Sequence, residues 1–474
     1  MDSFIASVKS QTIRMDGFDS ATSILAIPIY YWYDKPVPKD VLEVAFYKTL
    51  EEFPILAGHV KTGNDMRDYV EIDRNNLNMP VYTDVPCNVD FQTLQQSSYN
   101  VNLLPGDYSS AYKTPCPPGM FGNSLKIAEF HVFRLKDNSG MGVFASIIHI
   151  VFDGSSFCAF MNRWAEISKS ILAAQKQVQE IQNIRDIGVP ARVYEFDRSI
   201  LENYKPRGTD ALEPEVRHMF GTSTLAARWV AWFSPEVRGR LFRYLLSSMN
   251  PQNYHAHLSS SALEQLLQLI RPLAEPGISH LSANDAISAL GTILFAQALH
   301  KTGRLKGEAV LLSNIVANIR PRVKRLANIN YIGNAVLQRA IGSPLAPLLE
   351  ERNPQILASV ACSVRKAVNS ISEQYCDELG SLYYSNPSGY ANVYLQMPKM
   401  KNLIASNNHS RFTYYNADFG SGIPVNVRPE CHLAENALII MPVHPSQTGY
   451  DLWFLMAPEV AKAMMESDYW KLIH

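Results

Sequence analysis

The chain has 474 residues, of which 47% are hydrophobic and 18% charged, and its formal net charge is −1. At roughly 100–200 residues per domain this length suggests two or three domains, and the apolar share supports a sizeable core and excludes wholesale disorder. The balanced charge leaves no electrostatic footprint for a nucleic acid or an anionic membrane as partner.

The N-terminal segment MDSFIASVKSQTIRMDGFDS is polar and mixed, without the apolar run of a secretion signal. The run ILAIPIYYWY (24–33) is too short to span a bilayer and ends at Asp34, so it reads as a core strand. No other window approaches the length of a membrane span. Asp40 is the expected cap of a helix over 41–52, with Leu42, Phe46, Leu50 and Phe53 near helical spacing. Two strands are expected at 127–135 and 142–152, joined by the turn KDNSG. After Gly154 the period changes: Phe157, Phe160, Met161, Trp164, Ile167 and Ile171 mark one face of a helix to about residue 175, with Ser155 or Ser156 as its cap and Trp164 in the core.

Residues 176–225 are weaker in pattern and carry Pro190, Pro206 and Pro214, as an inter-domain crossover would. The expected division is an N-terminal domain over 1–190, a linker over 191–225 and a C-terminal domain over 226–474. Helices near 259–273 and 282–300, a strand at 309–318 and a helix over 354–379 opening at Asn353-Pro354 follow. Strands near 436–443 and 449–456 precede a last helix from Ala457-Pro458. This is a mixed α/β chain of two comparable halves. The six cysteines are scattered and none forms a CxxC pair, which suits reduced thiols in a cytosolic protein and neither a disulfide framework nor a zinc site.

The chain has no GxxxxGK[ST], HExxH or GxSxG, so nucleotide-loop, zincin and serine-hydrolase readings lack their signatures. GMGVFA (140–145) formally matches GxGxxA, but it precedes a strand and does not join a strand to a helix, so it is no dinucleotide turn.

The stretch IIHIVFDGSSF (147–157) sets His149 in an apolar run that ends at Asp153-Gly154. On a strand His149 shares a face with Ile147 and Val151, and four extended residues span about 13 Å. Asp153 then cannot orient the ring unless the chain bends sharply, and Gly154 permits a bend. The arrangement suits a lone general base, with the aspartate bracing the turn by pairing elsewhere. A desolvated imidazole stays neutral near pH 7 and can take a proton from an alcohol or amine. Taken alone, a histidine at a strand end is more often a satisfied core or surface residue. Its company decides the matter. SNIVANIRPRVKR (313–325) carries Arg320 and Arg322, YIGN follows at 331–334, and YYNADFGSGIP (414–424) holds a tight glycine loop whose acid can bind a basic partner.

The order HxxxDG, NxRxR, YxGN, DFGxG is far more specific than any piece of it. In these motifs the chain resembles the BAHD acyltransferases, coenzyme A-dependent O- and N-acyltransferases of plants and fungi. EEFPILAGHVK (51–61), the block 124–167 and LSANDAISAL (281–290) are similar to further segments of that family, so the resemblance covers nearly the whole chain. It implies an α/β fold of two similar chloramphenicol-acetyltransferase-like domains, each a mixed sheet with flanking helices, and an active-site channel between them. It implies His149 as general base and Asp153 as a structural residue paired to Arg320, with Arg322 as second choice. Gly154, Asp418 and Gly420 would likewise shape the site. The sequence departs from the pattern at Ser421, which replaces the tryptophan of DFGWG, and at Ala405-Ser406-Asn407, read as the counterpart of a TSW segment. Such departures suit a divergent, fungal-type member.

The implied reaction is direct transfer from acyl-CoA to a small-molecule alcohol or amine in a ternary complex, without an acyl-enzyme. Ser406 is the expected oxyanion donor by motif position. Tyr31 either lines the acceptor side or is packed in its strand. Ser282 and Asp285 either meet CoA or cap a helix, and Arg238 and Arg240 either meet phosphates or are solvated. No metal or permanently bound cofactor is expected; acyl-CoA is a co-substrate. No nucleic acid or membrane span is expected, and the protein reads as a cytoplasmic monomer of secondary metabolism. Two alternatives stand beside this. One is a condensation-type enzyme using a carrier-bound acyl group, although Ile148 stands where that family has the first of two histidines. The other is a non-catalytic family member serving as a partner protein.

Overall fold

The computed structural model describes residues 2–22, 26–105, 125–177, 184, 187–201, 204–247, 251–306, 309–396, 400–429 and 435–473. Ile24 and Leu25 of the expected first strand, Ser124, Cys116 and Cys431 lie outside the described residues. The described strands, β1 to β14 in chain order, form three sheets. β1 (Gln11–Arg14), β3 (His59–Thr62) and β4 (Asp68–Ile72) make a small antiparallel sheet in the order β1-β4-β3.

The second sheet contains β2 (Ala26–Tyr33), β5 (Val81–Pro86), β6 (Ala128–Arg134), β7 (Met141–Ile148) and β12 (Asn426–Pro429). Its order is β12-β2-β7-β6-β5, antiparallel except for the parallel β5–β6 pair. β2 and β7 are buried at every position, which is why both read as unbroken apolar runs and not as alternating ones. β12 comes from the C-terminal half, so the two halves share this sheet. The third sheet joins β8 (Gln252–Leu258), β9 (Val310–Asn318), β10 (Val336–Pro344), β11 (Leu403–Asn408), β13 (Ala437–Pro442) and β14 (Tyr450–Met456) in the order β10-β9-β11-β13-β14-β8. It is also mixed, with β11 parallel to both its neighbours.

Helices cover these sheets. α1 (Lys39–Glu52) and α2 (Gly154–Gln177) lie against the β2-containing sheet. There Trp164 is fully buried, donates its Nε1–H to the Leu42 carbonyl at 3.0 Å and meets Phe46 edge-on at 5.3 Å. α3 (Ala283–Lys301) is apolar nearly all round and is buried between the β9-containing sheet and α4 (Pro354–Asn369). Among the described residues no helix is long and apolar enough to cross a membrane. Cys87, Cys158, Cys362 and Cys376 are buried free thiols.

Several sequence expectations change in detail. α1 begins at Lys39 with Pro38 as its cap, so Asp40 lies inside the first turn and does not cap it. The helix expected over 354–379 is two, α4 and Glu373–Ser385, because Ser372 opens a new N-cap by accepting from the Tyr375 N–H. β7 stops at Ile148, and its partner strand β2 ends level with it at Ala26. The expected crossover holds a 3-10 turn, Arg198–Leu201, and a helix, Pro214–Gly221.

Candidate active site

Where β7 ends, the chain turns at once: the Val151 N–H bonds the Ile148 carbonyl at 3.2 Å. His149 sits in that turn and not on the strand. Its Nδ1 is 3.1 Å from Asn334 Oδ1. The Asn334 amide has no freedom to flip. Its Nδ2 donates to the Asp19 carboxylate at 2.8 Å and to the His149 carbonyl at 2.7 Å, and both of those groups only accept. Oδ1 must therefore face the ring, so His149 carries its proton on Nδ1 and leaves the Nε2 lone pair free. Asp19 is pinned in turn by the buried Arg198 at 2.9 Å, and Arg198 also donates to the Val151 carbonyl at 3.1 Å. Burial pushes the His149 pKa below the usual histidine value, against the raising influence of its own carbonyl, Asp153, Asn334 and Asp19. The ring is thus a neutral base at neutral pH.

Asp153 faces away from that ring. Arg320 grips it from two nitrogens, Nη1 to Oδ2 at 2.5 Å and Nη2 to Oδ1 at 3.1 Å. The backbone N–H groups of Ser156 (2.9 Å) and Ala335 (3.0 Å) complete its shell. Burial drives this carboxyl up, but the Arg320 charge and the hydrogen bonds outweigh it and hold the pKa below the usual carboxylate range. Asp153 is also the cap of α2, since its side chain takes the Ser156 N–H and its carbonyl the Phe157 N–H at 2.8 Å. Neither Ser155 nor Ser156 fills that role. Ser156 instead donates its hydroxyl to the Gly333 carbonyl at 3.0 Å. Arg322 turns elsewhere, to the Ile371 carbonyl at 3.0 Å. Gly154 is needed for space rather than for the bend, which lies at 148–151: a Cβ there would stand 2.4 Å from the Phe412 ring.

His149 opens on a cavity of about 100 Å³ between the two large sheets. Ala26–Ile29 of β2 and Pro429 of β12 line one side; Val316, Val336, Asn407 and Ile439 of β9, β10, β11 and β13 line the other, with His409 and Phe412. The period of two along β11 decides which residues reach it. Ile404 joins the core under α3, Ser406 bonds Ser288 of α3 at 3.1 Å between hydroxyls, and Asn408 bonds Asn284 at 2.7 Å. Asn407 and His409 face the cavity. Ser406, the expected oxyanion donor, points toward Ser288 of α3, and its neighbour Asn407 lines the cavity. Tyr31 is fully buried against Tyr414, at 6.3 Å between rings, and does not line the cavity.

A model of the Transferase family matches residues 288–468. The BAHD acyltransferase DCR of Arabidopsis thaliana is 23% identical over 385 residues, which span 80% of this chain and 69% of that protein. The crystal structure of F. sporotrichioides TRI101 complexed with coenzyme A and T-2 superposes with a TM-score of 0.70 at 13% identity, over 98% of both chains. Vinorine synthase gives 0.57 at 14% identity, again over 98% of both. The chain is similar to acyltransferases of the BAHD family, at low sequence identity. The structural likeness is one of fold, and it is the two-domain α/β fold expected from the motifs.

The other residues singled out by this BAHD resemblance take structural posts. Ser282 and Asp285 form a capping box on α3: the Asp285 carboxylate accepts from the Ser282 N–H at 2.7 Å and hydroxyl at 2.9 Å, and Arg365 binds both side chains. Arg238 is not an exposed helix arginine. It is fully buried, paired to Asp68 at 2.5 Å, and also donates to Thr62 and Tyr390. Arg240 is exposed on the same helix. Asp418 closes its loop by accepting from the N–H groups of Gly420 (2.8 Å) and Gly422 (3.0 Å), and holds Lys169 at 2.6 Å. Gly420 sits at φ +106°, where a side chain would be strained. Sequence reasoning missed Asp19, Arg198, Asn407 and His409. Only the β11 pair carried a usable signal, the apolar Ile404 that sets the strand's phase; Asn334 stood in the quoted YIGN without a role.

Proposed function

We propose that the protein moves an acyl group from acyl-CoA to the hydroxyl or amine of a small-molecule acceptor, in one ternary complex, with His149 Nε2 as general base. One observation supports this above the rest: the oriented Asn334 amide dictates the tautomer that leaves Nε2 unprotonated, at a cavity walled by both sheets. The thioester brings its own leaving group, so the chain needs no nucleophile. The acceptor's oxygen or nitrogen attacks the thioester carbonyl while its proton passes to Nε2. The new bond to the acyl carbon forms, the C–S bond breaks, and the imidazolium returns the proton to the departing thiolate. The Asn407 amide, which lines the cavity and has no hydrogen-bond partner among the described residues, is suited to the tetrahedral oxyanion. Asp19, Asp153, Arg198 and Arg320 hold this apparatus from behind. In this reading residues 1–190 and 226–474 act as two domains about the cavity, joined by 191–225, and the protein works as a cytoplasmic monomer.

The test is His149→Ala in a thiol-release assay with a panel of acyl-CoA donors and alcohol and amine acceptors. The ring makes one side-chain bond, so the variant is expected to fold while losing about 10²–10⁴ in turnover. Undiminished turnover would remove His149 from the chemistry.

A further inference from the structure

The cavity holds a second imidazole that the family resemblance did not predict. His409 follows β11 directly, is 8% exposed, and is anchored by its N–H to the Ile440 carbonyl at 2.8 Å. Its ring rests against Phe412 with centroids 4.8 Å apart. Its Nδ1 lies 3.0 Å from the hydroxyl of the fully buried Tyr414. That phenol has no other hydrogen-bond partner among the described residues, so its proton points at Nδ1. His409 therefore carries its own proton on Nε2. That N–H has no hydrogen-bond partner among the described residues, and the ring lines the cavity beside His149. A donor that faces a cavity without an acceptor is suited to a ligand that supplies one. Burial, with His149 close by, pushes the His409 pKa down to about 3, so the ring stays neutral and offers a donor without a charge.

We infer that the acceptor is an uncharged alcohol on an apolar body, with its hydroxyl held between the Nε2–H of His409 and the Nε2 lone pair of His149. This rests on the acyl-transfer reading above. An alcohol oxygen accepts one hydrogen bond and donates one, and the two imidazoles present one donor and one acceptor. An amine near pH 7 is mostly an ammonium ion with N–H groups only, and its neutral form has a single lone pair, so accepting the His409 N–H would occupy the pair needed for attack, whereas an alcohol oxygen keeps a second. Among the described residues that line the cavity, the carboxylate is that of Asp153, and it is not free to receive such a cation. Both Asp153 oxygens are taken by Arg320 and backbone N–H groups, and Asp19 lies behind Asn334 with Arg198 on it. Arg320 is equally spent, so an anionic acceptor finds no free cation there. Apart from the Asn407 amide, the remaining walls are apolar, with Ile27, Ile29, Val316, Val336, Ile439 and Phe412 among them. In the transfer, the alcohol O–H proton goes to His149, the ester C–O bond forms, the thioester C–S bond breaks, and the thiolate takes the proton back.

The experiment pairs matched acceptors on the full-length protein with acetyl-CoA and hexanoyl-CoA: cyclohexylmethanol against cyclohexylmethylamine, and 1-hexanol against 1-hexylamine, at pH 7.5. The expected result is a kcat/KM at least tenfold higher for each alcohol. His409→Phe keeps the ring packing but removes the donor, and is expected to raise the alcohol KM about tenfold or more. His409→Gln, which returns an N–H near Nε2, should recover part of that loss. Amines that match or outrun alcohols, or a His409→Phe variant with wild-type alcohol KM, overturn the inference. Absence of thiol release with every donor and acceptor counts instead against the acyl-transfer reading. Calorimetric binding of cyclohexylmethanol then decides the acceptor class alone: binding weakened tenfold by His409→Phe sustains it, and binding no tighter than that of the amine overturns it.

Discussion

Asn334→Ala separates the catalytic reading of the site from a merely structural one. Asn334 is fully buried and makes three side-chain bonds, to His149 Nδ1, the His149 carbonyl and Asp19. Two of the groups it leaves behind keep another partner. The His149 carbonyl still receives the Thr22 hydroxyl at 3.1 Å, and Asp19 Oδ1 still receives the backbone N–H of residue 334 at 3.1 Å. The stability cost therefore sits at about 1–3 kcal/mol, that of one orphaned group and not of three. Turnover should suffer more. As His149 takes the acceptor's proton it becomes an imidazolium, and its Nδ1–H bond to Asn334 becomes charge-assisted, worth about 1.5–3 kcal/mol. At 1.36 kcal/mol per tenfold, that is about a 10- to 100-fold fall in kcat. The sign of a second effect is fixed as well. The Asn334 bond raises the His149 pKa against the larger lowering by burial, so its removal moves the acid limb of kcat/KM to lower pH. The assay is thiol release from acyl-CoA between pH 4.5 and 8, beside urea unfolding of the same preparations. A stable variant with unchanged kcat, or an acid limb shifted upward, would refute the role given to Asn334.

Three further outcomes are expected. Arg320→Met strands the buried Asp153 carboxylate with only two backbone donors, so a loss of about 3–5 kcal/mol in urea unfolding is expected, and a loss under 1 kcal/mol would contradict the pairing. Asn407→Ala should lower kcat by about 10²-fold as an oxyanion donor would, whereas Ser406→Ala, facing Ser288, should leave it nearly intact; the reverse order would restore Ser406 to the site. His409, held near pKa 3 when folded against an ordinary 6.5, takes up a proton on unfolding. Stability should therefore fall as pH drops below 6.5; His409 contributes about 2 kcal/mol of that fall between pH 7 and 5, His149 adds to it with the same sign, and His409→Phe should remove the His409 share. Asp153, also depressed, adds the same sign only below about pH 4. A wild-type and variant curve that run parallel over pH 5–7 would sink the assignment.

The parts of the fold written locally were legible. β2 and β7 announce themselves as apolar runs, and α2 by the spacing from Phe157 to Ile171. Its cap is Asp153 and not the expected Ser155 or Ser156. One carboxylate does both jobs: Oδ1 takes the Ser156 N–H and an Arg320 nitrogen, while Oδ2 takes the other nitrogen and the Ala335 N–H. A carboxylate has about four lone-pair sites, so pairing and capping do not compete. The split of the expected 354–379 helix was hidden for another reason. Ser370-Ile371-Ser372 continues a helical apolar pattern, and only the cap bond from Tyr375 to Ser372 shows the restart.

The site divides along the same line. His149 and Asp153 were found because four residues hold them in one motif. What gives His149 its tautomer comes from three other places in the chain: Asp19 near the N-terminus, Arg198 in the crossover and Asn334 in the C-terminal half. Nothing in the residues around Asp19 or Arg198 marks them, because each is a common charged residue whose role exists only once the other is beside it. Their pairing is also what makes the crossover more than a tether. Arg198 carries a charge into the interior, and without Asp19 that charge would be uncompensated. The His149 tautomer in one half is therefore set by a residue from the other, through an ion pair that the connecting segment delivers. On the proposed reading, His149 becomes a competent base only when both halves and the crossover have docked, which would tie its chemistry to completion of the fold.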